Sequence, residues 1–431
     1  IAELTHLINF RQKFGAIGQV YKEELGDEKK IRDWAGEKPL FGNLLYLVSV
    51  IIVPLLTLLM IFFLSTGKIT VQLFFLWLVI PWGIAGFSAS KTNRRHQMVS
   101  KTSDMLEKYA NLLYEVETMN FQSEKLNKLQ EALSMKDLPA GKCIKTLRAI
   151  LSALDNRLNF VSWAVLNGLL LWDILQMIRL EKWQQLYKDK VNDWFDVIVE
   201  LDVLISFGNY GFNHPLAVYP VISEEKLAIT AKELGHPLIS EKERVNNDFE
   251  IRQGEFMIIT GANMAGKSTY LRTIGVNLIL AMCGAPVIAA EFYFKPVDLC
   301  TSIRTTDSLL KNESYFYAEL KRLRMIIEVL RSGKEIFIIL DEILKGTNSK
   351  DKHKGSEALL KQFVSLNATG IVATHDVSLG FLADAFPDHI KNRCFEVDIH
   401  GNELSFDYKL RDGISKNMNA TLLMKKMGIT I

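Results

Sequence analysis

The sequence predicts a C-terminal α/β domain with a mostly parallel sheet, preceded by an all-α region that includes two adjacent apolar helices. Three observations predict this architecture. Residues 39–67 and 69–90 contain no charged side chain. Residues 97–190 carry apolar side chains at three- and four-residue spacing, as amphipathic helices do. After residue 222, short β-branched runs alternate with helical stretches, which is typical of a parallel sheet.

The length and net charge of the chain limit its domain organisation and its possible partners. The 431 residues include 51 Lys and Arg against 49 Asp and Glu, a net charge of +2. This balance excludes a chain that binds nucleic acid by bulk charge alone, so any such contact must be local. We expect four segments: an N-terminal helical segment at 1–38, a helical hairpin at 39–95, a helical region at 96–222 and the α/β domain at 223–431.

The cysteine spacing indicates the redox compartment, and the first residue indicates whether the chain has been processed. The four cysteines show no C-x-x-C spacing, which predicts neither a zinc site nor a disulfide framework and favours a reducing compartment. The chain starts with Ile1 and shows no secretion signal there, so we expect a fragment or a processed form. The cysteines are Cys143, Cys283, Cys300 and Cys394.

The two apolar runs predict a transmembrane hairpin. Residues 44–64 and 69–90 are each long enough, at about 1.5 Å per residue, to cross a hydrocarbon layer of about 30 Å. Trp77 and Trp82 are candidate interfacial anchors. A hairpin buried in a protein core is the alternative.

Charge after the second run predicts the orientation of the hairpin. Lys91, Arg94 and Arg95 follow directly, and cationic residues favour the cytoplasmic side. Both flanks, and with them the C-terminal domain, are therefore expected in the cytoplasm, with the hairpin in the inner membrane.

Two further segments lie between the hairpin and the α/β domain. Residues 158–178 are apolar but contain Asn159, Asn167 and Asp173, so we predict a buried helix and not a third span. Clustered Gly, Asn, His and Pro predict a linker at 210–220. The helical spacing before them is clearest at Met105, Leu106, Tyr109, Leu112, Leu113 and Val116.

A phosphate-binding motif opens the α/β domain. An apolar run, 256–260, precedes a match to G-x-x-x-x-G-K-[ST], and a helical stretch follows it. In this arrangement backbone amides hold phosphate oxygens, Lys267 reaches the β- and γ-phosphates, and Ser268 holds Mg²⁺. The sequence therefore predicts an ATP and Mg²⁺ site. The motif consists of Gly261, Ala262, Asn263, Met264, Ala265, Gly266, Lys267 and Ser268.

Two later strands end in residues suited to hydrolysis. Asp341 and Glu342 follow the apolar run 336–340; the first carboxylate is expected to assist Mg²⁺ and the second to polarise the attacking water. His375 follows the run 370–373, at the strand end where open α/β sheets bind ligands. We predict a γ-phosphate sensor there.

The motif resembles the P-loop of the MutS family of DNA mismatch-repair proteins. Asn263 and Met264 inside the loop, and Ser268 and Thr269 after the lysine, are distinctive of that family. The resemblance covers about residues 200–428, including 200–204 and 235–237 at the family's junction between core and ATPase domain. It continues in chain order through Asp307, Ser308, Leu309, Ser314, Phe316, Glu319, Asp341, Glu342, Gly346, Thr347, Asn348, Ala373, Thr374 and His375.

The resemblance implies an ABC-type ATPase that works as a dimer. Residues 261–269 would hold ATP in one subunit, while Ser314 of the other subunit would reach the γ-phosphate. Tyr408 matches the position where the family places an aromatic residue or histidine near the adenine. The helical region 96–222 would then be a lever between the nucleotide site and DNA.

The chain also departs from the family. After Gly346 and Thr347 the family's loop reaches Asp-Gly within a few residues, whereas residues 348–355 are longer and more basic. The mismatch-reading domain with its Phe-x-Glu wedge is not recognisable, and a transmembrane hairpin is foreign to mismatch-repair MutS. The resemblance is greater to short membrane-associated MutS-like proteins of bacteria.

Three functions remain open from sequence. The first is a MutS-like ATPase that couples its nucleotide state to mismatched or structured DNA in repair. The second is a membrane transporter ATPase, although residues 313–316 stand where transporters carry L-S-G-G-Q. The third is a membrane-tethered switch that uses ATP without DNA. Steep salt dependence of duplex binding would separate the first from the third.

Overall fold

The structure is a computed structural model that describes residues 1–20, 26–99, 102–134, 138–224, 228–303, 315–344, 348–400 and 403–416. The chain divides into two units, residues 1–209 and 210–431. The regular elements described in the first unit are helices. Its helices are α1 (Ala2–His6), α2 (Ile8–Val20), α3 (Asp27–Ala35), α4 (Leu44–Ser65), α5 (Val71–Val99), α6 (Ser103–Thr118), α7 (Glu124–Glu131), α8 (Ala140–Asp155), a 3-10 turn (Asn156–Leu158), α9 (Phe160–Leu170) and α10 (Trp172–Asn213).

Helix α6 forms the centre of the first unit's core. The six residues with helical spacing in the sequence are all buried, which confirms the predicted inward face. Tyr114 on the opposite side is exposed. The same core takes in Trp34 and Trp183, whose rings stack 6.0 Å apart, and Trp194. Burial of these large side chains is the main stabilisation of the bundle.

Helices α4 and α5 coincide with the two uncharged runs. Both are long and apolar enough to cross a membrane. Only 11% of the apolar window of α4, and 22% of that of α5, is buried inside the protein. Within the described residues of this chain, the hairpin is therefore mostly exposed and not buried in a core. Helix α5 also continues nine residues beyond Ser90, so its cationic end is part of the same helix.

The segment 158–178 differs from the single buried helix that we predicted. It breaks at Leu171, which adopts a left-handed conformation with φ of 49°, and α9 and α10 meet at a bend of 79°. Asn167 fixes the break, because its Oδ1 accepts a hydrogen bond of 3.0 Å from the Asp173 backbone N–H. Large apolar side chains of α9 are exposed, among them Phe160 and Val161.

The predicted linker at 210–220 is also shorter than expected. Helix α10 runs on through Tyr210 to Asn213 as part of one helix of 42 residues. Glycines at 208 and 211 weaken a helix by only about 1 kcal/mol each. Their presence therefore did not end α10, and the non-helical connection begins at His214.

The second unit is an α/β fold with two principal sheets. Its larger sheet has the order β12-β9-β4-β8-β7-β6, parallel except for β12 against β9, which confirms the predicted mostly parallel sheet. A second sheet has the order β1-β5-β2-β3. The strands are β1 (Val221–Ile222), β2 (Ala228–Leu234), β3 (Asn247–Arg252), β4 (Phe256–Gly261), β5 (Glu291–Phe294), β6 (Asp298–Ser302), β7 (Ile336–Asp341), β8 (Thr369–Thr374), β9 (Ile390–Phe395), β10 (Asp398–His400), β11 (Glu403–Ser405) and β12 (Leu410–Asp412).

Helices cover both faces of the larger sheet. They are α11 (Lys267–Met282), α12 (Tyr315–Arg331), α13 (Ser349–Ser365) and α14 (Leu382–Ala385), with a 3-10 turn at Val377–Phe381. Strands β4, β7 and β8 are buried along their whole length, and separate apolar clusters lie on the two sides of the sheet. The carboxyl ends of these three neighbouring strands therefore meet at one edge, where open α/β sheets bind ligands.

Candidate functional site

The loop between β4 and α11 has the geometry of a phosphate-binding turn. Gly266 caps α11 with φ of 103°, a left-handed conformation that glycine adopts without strain. A Cβ at this position would lie 3.1 Å from Cδ1 of Tyr408, so the ring also requires a glycine here. Met264 is exposed at the tip of the loop, whereas Ala262 and Ala265 are buried under it. The first turn of α11 thus points its backbone N–H groups into open space.

Lys267 is held at the base of this loop. Its side chain is buried, and Nζ donates hydrogen bonds to the carbonyl oxygens of Gly261 at 2.8 Å and Ala262 at 2.7 Å. Nδ1 of His375 lies 3.3 Å from the same nitrogen. A buried ammonium is stable only where such oxygens compensate it, and these two carbonyls hold the lysine side chain at the base of the loop.

Ser268 and Asp341 form the metal side of the site. The Ser268 hydroxyl donates to Oδ1 of Asp341 at 3.0 Å, across from α11 to the end of β7. A hydroxyl and a carboxylate are hard oxygen donors, and Mg²⁺ bound to phosphates usually takes only one or two protein ligands. The pair therefore fits the Mg²⁺ predicted from sequence.

Glu342 and His375 are in direct contact. Nε2 of His375 lies 2.6 Å from Oε1 of Glu342, and Nδ1 lies 3.0 Å from the Gly261 carbonyl oxygen. Glu342 has φ of 51°, an uncommon conformation for a residue with a side chain, and its N–H donates to the Ala373 carbonyl oxygen at 2.9 Å. Strained backbone of this kind concentrates at functional sites.

A buried glutamate holds the chain that follows Glu342. Oε1 of Glu319, on α12, accepts a hydrogen bond of 2.7 Å from the backbone N–H of Leu344. Glu319 is buried, although glutamates are almost never buried without partners. Its place among the residues that carry the MutS resemblance thus has a structural reason.

The loop after His375 is tied to α13. Oδ2 of Asp376 lies 2.7 Å from Nδ1 of His353, and Asp376 also accepts from the Ser378 backbone N–H at 3.1 Å. Burial acts to raise the pKa of Asp376, but hydrogen bonds from Ser378 and His353 outweigh it and lower that pKa. Sequence analysis missed this link, because His353 and Asp376 are 23 residues apart.

Residues 263–269, Glu342 and His375 line one cleft of about 390 Å³, which we call the P-loop cleft. Tyr408, His236 and Ile239 also line it, whereas Asp341 does not. Burial, and next the charge of Arg272, lower the pKa of His236, so its imidazole is neutral at pH 7. Aromatic and aliphatic groups around a polar end are what a nucleotide base and its phosphates require. Thr269 and Thr273 complete the floor.

Asn247 positions Tyr408, and sequence analysis did not identify it. Its Nδ2 donates to the Tyr408 carbonyl oxygen at 2.9 Å, and its Oδ1 accepts from the Leu410 N–H at 2.8 Å. Tyr408 has φ of 55°, and its ring stacks on Phe406 at 6.0 Å. One amide side chain thus fixes both sides of a left-handed turn.

Some predicted site residues fall elsewhere. Ser314, Gly346 and Thr347 lie outside the described residues. Residues 349–355, which the sequence comparison treated as part of a loop, are the first turns of α13. Asn348 is the N-cap, since its side chain accepts from the Asp351 N–H at 2.9 Å, and this cap explains why the basic stretch is helical.

The family model of MutS domain V matches residues 257–428 of the chain. The match begins inside β4 and takes in the P-loop, Asp341, Glu342 and His375. The greater part of the second unit is therefore similar to MutS domain V.

Curated relatives carry the same family name. MutS protein homolog 4 of Homo sapiens is 30% identical over 236 residues, covering 52% of this chain and 24% of the relative. DNA mismatch repair protein MSH4 of Arabidopsis thaliana is 32% identical over 232 residues, 51% of this chain and 28% of the relative. DNA mismatch repair protein MutS of Thermotoga neapolitana is 26% identical over 235 residues, with 53% and 28% covered. The chain thus spans about a quarter of the length of these relatives.

The Asn247 turn of the MutS domain can be tested by proteolysis. Asn247→Ala should expose the 406–411 segment, because two hydrogen bonds that fix it are lost, and cleavage by trypsin after Lys409 should become about tenfold faster. Asn246→Ala is the matched control, since Lys409 bonds only the backbone carbonyl of Asn246, which alanine retains. Equal cleavage rates in the two variants would show that Asn247 does not hold the turn.

Proposed function

We propose that the chain binds and hydrolyses ATP with Mg²⁺ in the P-loop cleft. The observation that carries this proposal is the meeting of three pairs at one sheet edge: Lys267 with the Gly261 carbonyl, Ser268 with Asp341, and Glu342 with His375. Each pair would meet one requirement of phosphoryl transfer. Lys267 would be the fixed positive charge, Ser268 with Asp341 the metal position, and Glu342 with His375 the group beside the attacking water. The family supports the same activity.

Different residues would bind the phosphates, the metal ion and the base of the nucleotide. The N–H groups of the loop and the Lys267 ammonium would hold the β- and γ-phosphates, exchanging their carbonyl partners for phosphate oxygens. Ser268 and Asp341 would hold Mg²⁺, which neutralises negative charge on the phosphates. Tyr408, His236 and Ile239 would hold the base.

Hydrolysis itself requires a water in line with the bond that breaks. The water oxygen bonds to the γ-phosphorus as the bond to the β,γ-bridging oxygen breaks, and the electron pair leaves with ADP. Glu342 would orient this water and accept a proton from it as the new bond forms. His375, held by the Gly261 carbonyl, would keep the carboxylate in position and contact the γ-phosphate.

Lys267→Ala should lower ATP affinity about 100-fold or more, because a buried charge-assisted contact with phosphate is lost. The measurement is equilibrium binding of a fluorescent ATP analogue. Lys361→Ala serves as the control: this lysine makes an exposed ion pair with Glu357, which is typically worth no more than about 0.5 kcal/mol. ATP affinity equal in wild type and Lys267→Ala would refute the assignment of the cleft.

The family further supports a dimer in which each nucleotide lies between two subunits. We infer that Ser314 of one subunit completes the P-loop cleft of the other. Glu342→Gln would then stop hydrolysis but leave closure possible, so ATP should trap a dimer. Ser314→Arg should instead prevent closure.

Mixing the two variants tests this arrangement. A heterodimer of Glu342→Gln with Ser314→Arg holds one site with both lesions and one with neither. Random mixing should restore about a quarter of wild-type turnover if the sites act independently. A mixture that stays inactive, although heterodimers are shown to form by differential tagging, would rule out the role of Ser314 in trans.

DNA is the proposed substrate of the coupled cycle, because the relatives are named as mismatch-repair proteins. With a net charge of +2, phosphate contacts would have to be concentrated in local patches. Affinity for homoduplex, mismatched and branched DNA should fall steeply with salt, and ATP should change the preference among them. Binding that is absent, or independent of salt, would favour a switch without DNA.

We also propose that α4 and α5 anchor the chain in the inner membrane with the nucleotide domain in the cytoplasm. Their exposed apolar surface and the cationic end of α5 support this placement. No residue of the P-loop cleft belongs to the first unit. The anchor and the nucleotide chemistry are therefore separable.

The full chain should sediment with membranes and resist an alkaline wash. Replacing residues 44–90 by a short Gly-Ser linker should give a soluble protein that still hydrolyses ATP. A milder variant, Leu55→Lys with Leu58→Lys, places charge on outward positions of α4 and should weaken sedimentation without removing a helix. Wild-type protein that stays in the soluble fraction without detergent would contradict the membrane proposal.

A further inference from the structure

A second cleft lies in the first unit, between α5, the 3-10 turn at Asn156–Leu158 and α9. Its volume is about 320 Å³. Along α5 it begins one turn after Ser90, where the uncharged run ends. We call it the α5–α9 cleft, and its lining residues are Asn93, His96, Arg157, Leu158, Phe160 and Trp163.

The polar side of the α5–α9 cleft contains an unsatisfied donor. Arg157 has only 7% of its side chain exposed, and its Nη2 lies 3.2 Å from Oδ2 of the buried Asp173. Its Nη1 is buried and has no hydrogen-bond partner among the described residues, and the same is true of Oδ1 and Oδ2 of Asp173. An unmatched guanidinium N–H inside a protein is costly, and an anionic oxygen is its natural partner.

Local charge favours an anion as well. His96 is paired with Asp155 at 2.6 Å, and Asn93 is exposed at the cleft mouth. Lys91 and Arg94 are exposed on the same turns of α5. Neither lines the cleft, and Nζ of Lys91 lies 5.6 Å from the centroid of the Tyr46 ring, so Arg157 is the fixed cation of the cleft itself.

The other side of the cleft is apolar and open. Leu158 is 75% exposed and Phe160 is 76% exposed, and Val161 and Val165 continue this exposed surface along α9. Apolar side chains exposed to this degree beside a buried cation fit an amphipathic ligand better than a free anion.

Helix α9 lies against the middle of the uncharged part of α5. The Trp82 indole Nε1 donates to the Ala164 carbonyl oxygen at 2.8 Å, and Gly168 packs against the same ring so closely that a Cβ would lie 3.0 Å from Nε1. With 11 residues, or about 16 Å, α9 is too short to cross a bilayer. Its exposed face is nevertheless continuous with the part of α5 proposed to lie in the membrane.

We propose that the α5–α9 cleft binds the phosphate of an acidic phospholipid, with the exposed face of α9 among the acyl chains. Arg157 Nη1 and the Asn93 amide would donate to the phosphate, while Leu158, Phe160 and Trp163 contact the glycerol and upper acyl region. The site depends on the proposed membrane association of α4 and α5, and it adds a lipid preference that a plain anchor would lack.

Tryptophan quenching by brominated lipids tests the site in the full chain. The protein is reconstituted in phosphatidylcholine vesicles that contain either brominated phosphatidylglycerol or brominated phosphatidylcholine. The Trp163 contribution is obtained by difference from Trp163→Phe. Half-maximal quenching of Trp163 should need about tenfold less phosphatidylglycerol, the ratio that one hydrogen bond to a charged group typically contributes.

Asn93→Asp should abolish this preference, since it places a carboxylate at the mouth without disturbing a buried group. The matched control is Gln185→Glu, which adds the same charge at an exposed position of α10 and should keep the preference. Arg157→Gln should lose it too, with circular dichroism checking that the helices remain. An unchanged preference in Asn93→Asp and Arg157→Gln would overturn the site.

Three further outcomes separate the competing explanations. If millimolar inorganic phosphate removes the preference, the cleft is a general anion site and the lipid assignment fails. If Trp163 shows equal quenching by both lipids while Trp77 and Trp82 are quenched, the site is wrong but the membrane proposal stands. If no tryptophan is quenched by either lipid, the membrane proposal itself fails, and the lipid site with it.

Discussion

The register of three parallel strands sets the distances among Gly261, Glu342 and His375. Thr260 of β4 pairs with Thr374 of β8, and Ala373 of β8 pairs with Asp341 of β7. One residue further along each strand stand Gly261, His375 and Glu342, and His375 contacts both of the others. A slip of one residue would move a strand by about 3.3 Å and turn its side chains to the opposite face. The burial of all three strands prevents such a slip, so the apolar core of the second unit also fixes the geometry of the site.

At these strand ends, Lys267 and Glu342 each already have a polar partner. Lys267 is compensated by backbone carbonyls, and Glu342 is engaged by His375. A phosphate must therefore compete with two hydrogen bonds for the lysine, and a water must compete with the imidazole for the carboxylate. Binding energy is then the difference between two sets of contacts. This favours a cycle in which the γ-phosphate contacts both Lys267 and His375. The contact with His375 would also rearrange the Glu342–His375 pair that acts on water.

The sequence predicted those parts of the site whose chemistry is contiguous in the chain. The residues of the P-loop, and Asp341 with Glu342, each follow an apolar strand that can be recognised directly. Asn247 could not be found in this way, because it holds Tyr408 from 161 residues away and belongs to no motif. The break between α9 and α10 was missed for a related reason: it depends on the left-handed Leu171 and on one hydrogen bond accepted by the Asn167 side chain, and leucine seldom adopts that conformation. Tertiary contacts decide both cases.

The two candidate sites lie in different units of the chain. The match to MutS domain V begins at residue 257, and every residue of the P-loop cleft belongs to the second unit. The long apolar helices, α9 and the α5–α9 cleft belong to the first unit. The family match therefore supports the proposed nucleotide chemistry, whereas the membrane proposal depends on the exposed apolar surface and the cationic end of α5. Since the two sets share no residue, a variant of one should leave the other intact.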